Sequence, residues 1–296
     1  MNLIVGATGV LGSEICRLLA ETGKPFRVMV RNLFDNSKTH KLRTMGAQLV
    51  QGDLTNRKTL GPALKGIQSV IVTASAVPSS YVRDENDIDA VDKNGMMDLI
   101  EEAVQAKVQR FIYTSFSGNI DGQFPLRNAK RTVEQHLRNS GLTFTILRPG
   151  FFMESWLSSG TGFDVFNGKV QIYGTGTQPV SYISYYDVAQ FAVASVNNPL
   201  AVNSILELGG PEKLTQLDVV RIFEDIHGRQ FNLDNLTEEQ IRTMMNSTTD
   251  PMERSMAGLM LYLAKGDPID MKSTLKGFRI KLRSVRDFAL RSVPAQ

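Results

Sequence analysis

Short apolar runs alternate with amphipathic stretches through the first half of the chain. Residues 3–5, 26–30, 48–50, 69–73, 110–114 and 143–147 are rich in Val, Ile and Phe and end at Gly, Asp, Asn or Ser, which predicts strands. Between them, residues 10–21, 38–45, 58–64, 88–106 and 129–139 carry the helical period. Such alternation implies right-handed crossovers. The expectation is therefore an α/β fold, a doubly wound parallel sheet of Rossmann type with helices on both faces.

The texture changes after Arg148-Pro149-Gly150. Residues 151–182 are rich in Gly, Ser and aromatics, which suggests loops with short strands. Residues 185–197 return as a helix and 204–208 as a strand. From Thr215 onward the pattern reads as mostly helical, with Thr237-Glu238-Glu239-Gln240 a capping box. The expected organisation is a first domain over 1–150, with 183–208 returning to it. A smaller, mainly helical lobe takes 151–182 and 209–296.

A chain of 296 residues, 42% hydrophobic and 21% charged, has room for such a pair of lobes and for a core that needs no cross-links. Its net charge of +3 comes without a dense Lys/Arg block, which argues against a nucleic-acid partner. Cys16 stands alone, so no intrachain disulfide forms. His40, His136 and His227 are scattered, and no metal site is expected. No apolar run approaches the roughly 20 residues that span a bilayer, and the first strand begins directly after Met1. The expectation is a cytoplasmic protein with no integral membrane segment, a plastid or thylakoid-associated location staying open.

Gly6-Ala7-Thr8-Gly9-Val10-Leu11-Gly12 falls between the first predicted strand and the first helix. In that context the glycines permit a tight turn, and the helix N-terminus offers free N–H groups to a pyrophosphate. No Gly-Lys-Ser/Thr closes the loop, so it is not a phosphate-transferring P-loop. The second strand ends at Arg31, about 20 residues farther on, where NAD sites carry an acid and an Arg suits a 2′-phosphate, unless it is a solvated surface residue. The cofactor read from these residues is NADP(H). Gly52-Asp53-Leu54, after the third strand, borders the adenine, or Asp53 caps the following helix. Lys38 and Lys41 add charge near Arg31 or are simply solvated.

With Arg110-Phe111-Ile112-Tyr113-Thr114-Ser115, Lys130-Arg131-Thr132-Val133-Glu134, Leu147-Arg148-Pro149-Gly150 and Tyr185-Tyr186-Asp187-Val188-Ala189, these features resemble the NmrA-like group of atypical short-chain dehydrogenases/reductases over about residues 1–230. The group holds isoflavone-reductase-like and quinone-reductase-like enzymes as well as redox-sensing regulators. The stretch from Phe124 through Phe152 is similar also to the photosystem-assembly branch. The resemblance implies cofactor contacts at Gly6, Thr8, Gly9, Val10, Leu11, Gly12, Arg31, Asp53, Leu54, Thr73, Ala74, Ser75, Lys130, Pro149, Gly150 and Phe151. Phe152, Met153 and Trp156 then line an apolar substrate pocket, or form an ordinary core cluster of aromatic and apolar side chains.

Ordinary short-chain dehydrogenases place a Tyr four residues before the Lys. Here Leu126 precedes Lys130, and leucine transfers no proton. Two readings of Lys130 stand side by side: a solvated helix residue pairing with Glu134 at i,i+4, or the family's cofactor-contacting Lys. In the reductase branch the latter also serves as general acid or base, and desolvation beside a cationic nicotinamide would lower its pKa for that task. Ser115 resembles the active-site Ser that orients a carbonyl oxygen, or is a strand-terminating hydroxyl. Two functions follow. One is an NADP(H)-dependent reductase of a small apolar carbonyl, quinone or enone. The other is a non-catalytic NADP(H) sensor or assembly factor with a regulatory protein partner.

Overall fold

The computed structural model describes residues 1–34, 36–78 and 80–292. In chain order its elements begin β1 (Asn2–Val5), α1 (Val10–Glu21), β2 (Phe26–Val30), α2 (Ser37–Thr44), β3 (Gln48–Gln51), α3 (Leu60–Leu64) and β4 (Ser69–Val72). A π-helical segment, Ile88–Gly95, runs on into α4 (Met96–Gln105), followed by β5 (Arg110–Thr114), α5 (Pro125–Asn139) and β6 (Phe144–Pro149). Then come α6 (Met153–Trp156), β7 (Phe163–Asp164), β8 (Lys169–Tyr173), α7 (Tyr185–Ser195), β9 (Ser204–Leu208) and α8 (Gln216–His227). The last elements are β10 (Asn232–Leu236), α9 (Glu238–Ser247), α10 (Pro251–Lys265), α11 (Lys272–Gly277) and α12 (Val285–Leu290).

Residues 1–115, 125–147 and 188–206 form one compact unit, and residues 116–124, 148–187 and 207–296 form another. In the first, seven strands are ordered β3-β2-β1-β4-β5-β6-β9, and every pairing from β3 through β6 is parallel. Leu3, Ile4, Val70, Ile71, Val72, Ile112 and Tyr113 are fully buried. That explains why these strands read as continuous apolar runs rather than as alternating ones: helices cover both faces. The chain runs outward from β1 through β2 to β3, then restarts on the other side of β1 with β4. The carboxyl ends of β1 and β4 therefore flank the topological switch point, where open α/β sheets bind their ligands.

Two helices differ from the expectation. The helix after β5 begins at Pro125 rather than near 129, since a proline at the first helical position gives up an N–H that has no partner there anyway. The helix over 88–106 starts with π winding, capped by Asp87, whose side chain accepts from the Ala90 N–H.

The second unit contains a sheet ordered β10-β8-β7, with β10 parallel and β7 antiparallel to β8. Strand β10 falls where the pattern suggested helix. Its first four residues are exposed and carry almost no periodic signal, and it exists because all five pair with Lys169 through Tyr173. The capping box at Thr237 and Gln240 opens α9. Among the described residues no helix is long and apolar enough to cross a membrane.

Candidate functional site

The glycine loop turns at the switch point, and its three glycines do two kinds of work. Gly6 has φ +96°, and a Cβ there would lie 2.5 Å from the Ala74 backbone nitrogen. A Cβ on Gly12 would lie 2.1 Å from the Gly6 carbonyl oxygen. Both positions are glycine because backbone packs on backbone. Gly9 is different: a Cβ there would meet only the Gly6 carbonyl, at an ordinary 3.4 Å. Thr8, Gly9 and Val10 are exposed, Val10 by 64%. Gly9 is the N-cap of α1, no side chain caps that end, and its first turn holds no acidic residue. The N–H groups of Val10, Leu11 and Gly12 have no partner within the helix. Bare backbone, a positive dipole end and open space together fit an anionic phosphate group.

At the end of β2, Arg31 is exposed, and its Nη1 donates to Asn86 Oδ1 over 3.2 Å. Asn86, from the segment that follows β4, is itself tied to the Ser80 hydroxyl at 3.2 Å. Asn86 is a contact that no pattern in the sequence flagged. Arg43 Nη2 donates to the Leu33 carbonyl at 2.9 Å, bracing the same turn, while Lys38 and Lys41 are exposed. Leu33 and Phe34 stand largely in water, at 41% and 78% exposure. Asp53 does not cap the next helix. Its Oδ1 accepts from the Thr55 N–H and hydroxyl, both at 2.9 Å, closing a local turn. Leu54 is a core side chain rather than an open flank of the crevice, and a Cβ on Gly95 would meet its carbonyl at 2.4 Å.

After β4, Thr73 donates from its backbone to the Val5 carbonyl at 2.9 Å, and Thr73, Ala74 and Ser75 remain partly accessible. The next residue, Ala76, is buried, and its N–H donates to Asp92 Oδ2 at 3.0 Å. The other carboxylate oxygen of Asp92 lies 3.1 Å from Lys130 Nζ. Asp92 is 0% and Lys130 5% exposed. The Lys130 ammonium also stands over the Tyr113 ring, 5.3 Å from its centroid.

Lys130 is therefore not a solvated residue paired with Glu134. Glu134 is engaged by Arg131 at 2.6 Å, and Arg131 also reaches the Ser115 hydroxyl at 3.4 Å. Burial alone draws the Lys130 pKa down, but Tyr113 and Asp92 outweigh it and the net shift is upward. Desolvation lowers a lysine only when no counter-charge accompanies it into the interior. Burial pushes the Tyr113 phenol up to about 12, against the pull of Lys130. At 0% exposure it does not replace the phenolic acid missing at Leu126, which is itself core. Ser115, at the end of β5, is 6% exposed, and Ser117 is spent on Asp267 Oδ1 at 2.6 Å within the second unit.

Pro149, Gly150, Phe151, Phe152, Met153 and Trp156 all belong to the second unit. Phe151 and Met153 are buried there, at 2% and 0% exposure, so neither offers its side chain to a pocket as it stands. Phe151 packs edge-on against Trp156 at 5.0 Å, and Phe152 stacks on Tyr185 at 4.0 Å. Phe152, Trp156 and Tyr185 keep partial exposure, and the Tyr185 hydroxyl bonds Ser155 Oγ at 2.6 Å. Glu154 caps the start of α7 through the Tyr185 N–H, at 3.1 Å. Cys16 is fully buried and burial pushes its thiol up to about 12, which leaves it unreactive. Among the described residues no three His, Cys, Asp or Glu side chains are grouped to hold a metal ion.

The NmrA-like family model matches residues 2–289. The NAD(P)H azoreductase of Xenophilus azovorans is 31% identical over 88% of this chain and 86% of its own. The photosystem II assembly factor Ycf39 of Cyanophora paradoxa is also 31% identical, over 77% of this chain and 68% of its own. Among solved structures, the NADPH complex of the quinone oxidoreductase QOR2 from Escherichia coli superposes with a TM-score of 0.78. It is 21% identical and covers 98% of this chain and 99% of its own, so the likeness is one of fold.

Proposed function

The chain belongs to the NmrA-like family, and from that premise we propose that it is an NADP(H)-dependent reductase of a small, mostly apolar carbonyl, quinone or enone. The observation that carries this reading is the Lys130 ammonium, buried and held charged by Asp92 near the carboxyl ends of β4 and β5. A buried ion pair is expensive to desolvate and adds little stability, so its presence beside a ligand crevice points to a role there.

Gly9 and the uncapped start of α1 would receive the pyrophosphate, and Arg31 the 2′-phosphate. Lys130 would hold the nicotinamide ribose through hydrogen bonds from a fixed cation. When bound, the nicotinamide supplies a hydride. A lysine whose pKa is raised is a poor proton donor near neutrality, so Lys130 acts by charge and position while water delivers the accompanying proton. Asn86 steadies the Arg31 guanidinium, which limits the ordering it must undergo on meeting a phosphate.

A second reading, a non-catalytic NADP(H)-binding assembly factor or sensor, is favoured by the assembly-factor relative and by Leu126 in place of the usual Tyr. The test is NADPH consumption against quinones, enones and an azo compound, with NADPH binding measured in parallel. Binding with turnover on any of these supports the reductase. Binding with none supports the second reading.

A further inference from the structure

Asp92 joins two parts of the first unit that the proposed function assigns to cofactor binding. Its Oδ2 accepts the N–H of Ala76, at the end of the Thr73–Ser75 segment, and its Oδ1 faces Lys130 Nζ. It sits inside the π-wound segment, where the widened turn adds a residue relative to α-helix and rotates the face presented by about 100°. Gly95 locks that segment down, because a Cβ there would strike the Leu54 carbonyl at 2.4 Å and the Ala90 carbonyl at 2.9 Å. The geometry points to Asp92 as a positioning residue, which aims the Lys130 ammonium and fixes the loop after β4 as one unit for binding NADP(H). This rests on the cofactor reading above.

The charged and titratable groups around Lys130 are Asp92 from the π-wound segment, Tyr113 from β5, and Glu134 with its partner Arg131 from α5. Glu134 is paired with Arg131 at 2.6 Å, and Tyr113 is a neutral phenol near pH 7. Asp92 is the carboxylate in direct contact with the buried ammonium, at 3.1 Å. Removing its charge weakens the compensation for burial, and a buried lysine with less compensation titrates lower. Lys130 then loses its proton within the accessible range, and with it the charge it presents to the ribose and phosphates.

The experiment is NADPH affinity by titration calorimetry between pH 6.5 and 9 on wild type, Asp92→Asn, and Asp92→Asn/Lys130→Met. The asparagine oxygen still accepts the Ala76 N–H, so the single variant removes charge while keeping the loop anchored. Wild type should change less than about threefold over that range, its Lys130 remaining protonated. Asp92→Asn should lose about tenfold or more as pH rises, the weight of one charged hydrogen bond. The double variant should bind more weakly than wild type and without pH dependence. If Asp92→Asn does not fold, the double variant decides, since wild-type affinity in it would overturn the proposal. A flat Asp92→Asn profile at wild-type affinity would also overturn it and leave the cofactor site intact. Failure of wild type itself to bind NADPH would overturn the cofactor reading along with it.

Discussion

Arg31 Nη1 donates to Asn86 Oδ1 across 3.2 Å, joining the end of β2 to the segment after β4. The contact is exposed, so it orients the guanidinium without shielding it from a ligand. Arg31→Ala should cost NADPH about 1.5–3 kcal/mol, the usual range for a hydrogen bond to a charged group, and NADH much less. Asn86→Ala should weaken NADPH binding by a smaller amount in the same direction. Calorimetry with both cofactors checks this, and equal losses for NADPH and NADH would remove the 2′-phosphate assignment.

The glycines separate fold from binding. At Gly9 the backbone has φ −81° and a Cβ meets only the Gly6 carbonyl at 3.4 Å, so Gly9→Val should fold, at a capping cost of about 1 kcal/mol. Its side chain would occupy the space a pyrophosphate needs, and NADPH binding should be lost. Gly12→Ala places a methyl 2.1 Å from the Gly6 carbonyl and should destabilise the whole unit. Thermal melts and titrations of the two variants check the contrast. Unchanged NADPH affinity in Gly9→Val would make the loop merely structural.

Lys130→Met should lower turnover by roughly 10²–10³, the weight of one preorganised electrostatic contact. It also strands Asp92 in the interior, which should cost about 3–5 kcal/mol of stability. Adding Asp92→Asn should restore part of that loss, because the second change removes the uncompensated charge. A double-mutant cycle by denaturant unfolding measures the coupling. Additive losses would mean that the 3.1 Å contact carries no coupling.

Much of this was readable from the chain because the relevant signals are local. Strands β1, β4 and β5 announce themselves as apolar runs bounded by breakers, and the glycine loop by its place between strand and helix. The environment of Lys130 was not readable. Asp92 lies far from it in sequence on a separate crossover, and only the register of β4 and β5, pairing Val72 with Tyr113, brings the three groups together. Nothing local to Lys130 in the sequence signals the carboxylate that accompanies it into the interior. Whether Met153 lines a pocket or fills the core was not decided by pattern, because an apolar residue beside a ligand loop and one in the core look alike in sequence. Asn86 was silent because one polar residue in a loop carries no period.

Asp187 offers a pH-dependent test within the second unit. It is fully buried, with Oδ2 accepting from the Arg283 N–H at 2.8 Å and Oδ1 lacking a hydrogen-bond partner among the described residues. Burial raises its pKa from 3.8 to about 6. The Arg283 N–H, Arg283 and Arg291 oppose the rise, and Glu154 adds to it. Since the folded value exceeds the unfolded one, the folded state holds the proton more tightly. The stability this confers is fully present below about pH 4 and is lost as pH rises through 6. Asp187→Asn imitates the protonated form. It should match wild type near pH 4 and exceed it above pH 7 by up to about 3 kcal/mol, from 1.36 kcal/mol per unit. Melting curves across that range check it, and a constant difference between the two proteins would rule it out.

Each role assigned to Lys130, Asp92 and Arg31 presupposes that the crevice between β1 and β4 holds NADP(H). The most direct measurement is calorimetric titration of wild-type protein with NADPH and with NADH at the same pH and ionic strength. NADPH should bind with one site per chain and at least about tenfold more tightly than NADH, the smallest gain expected from one charged hydrogen bond to a phosphate. Equal affinities, a preference for NADH, or no binding of either would contradict the account.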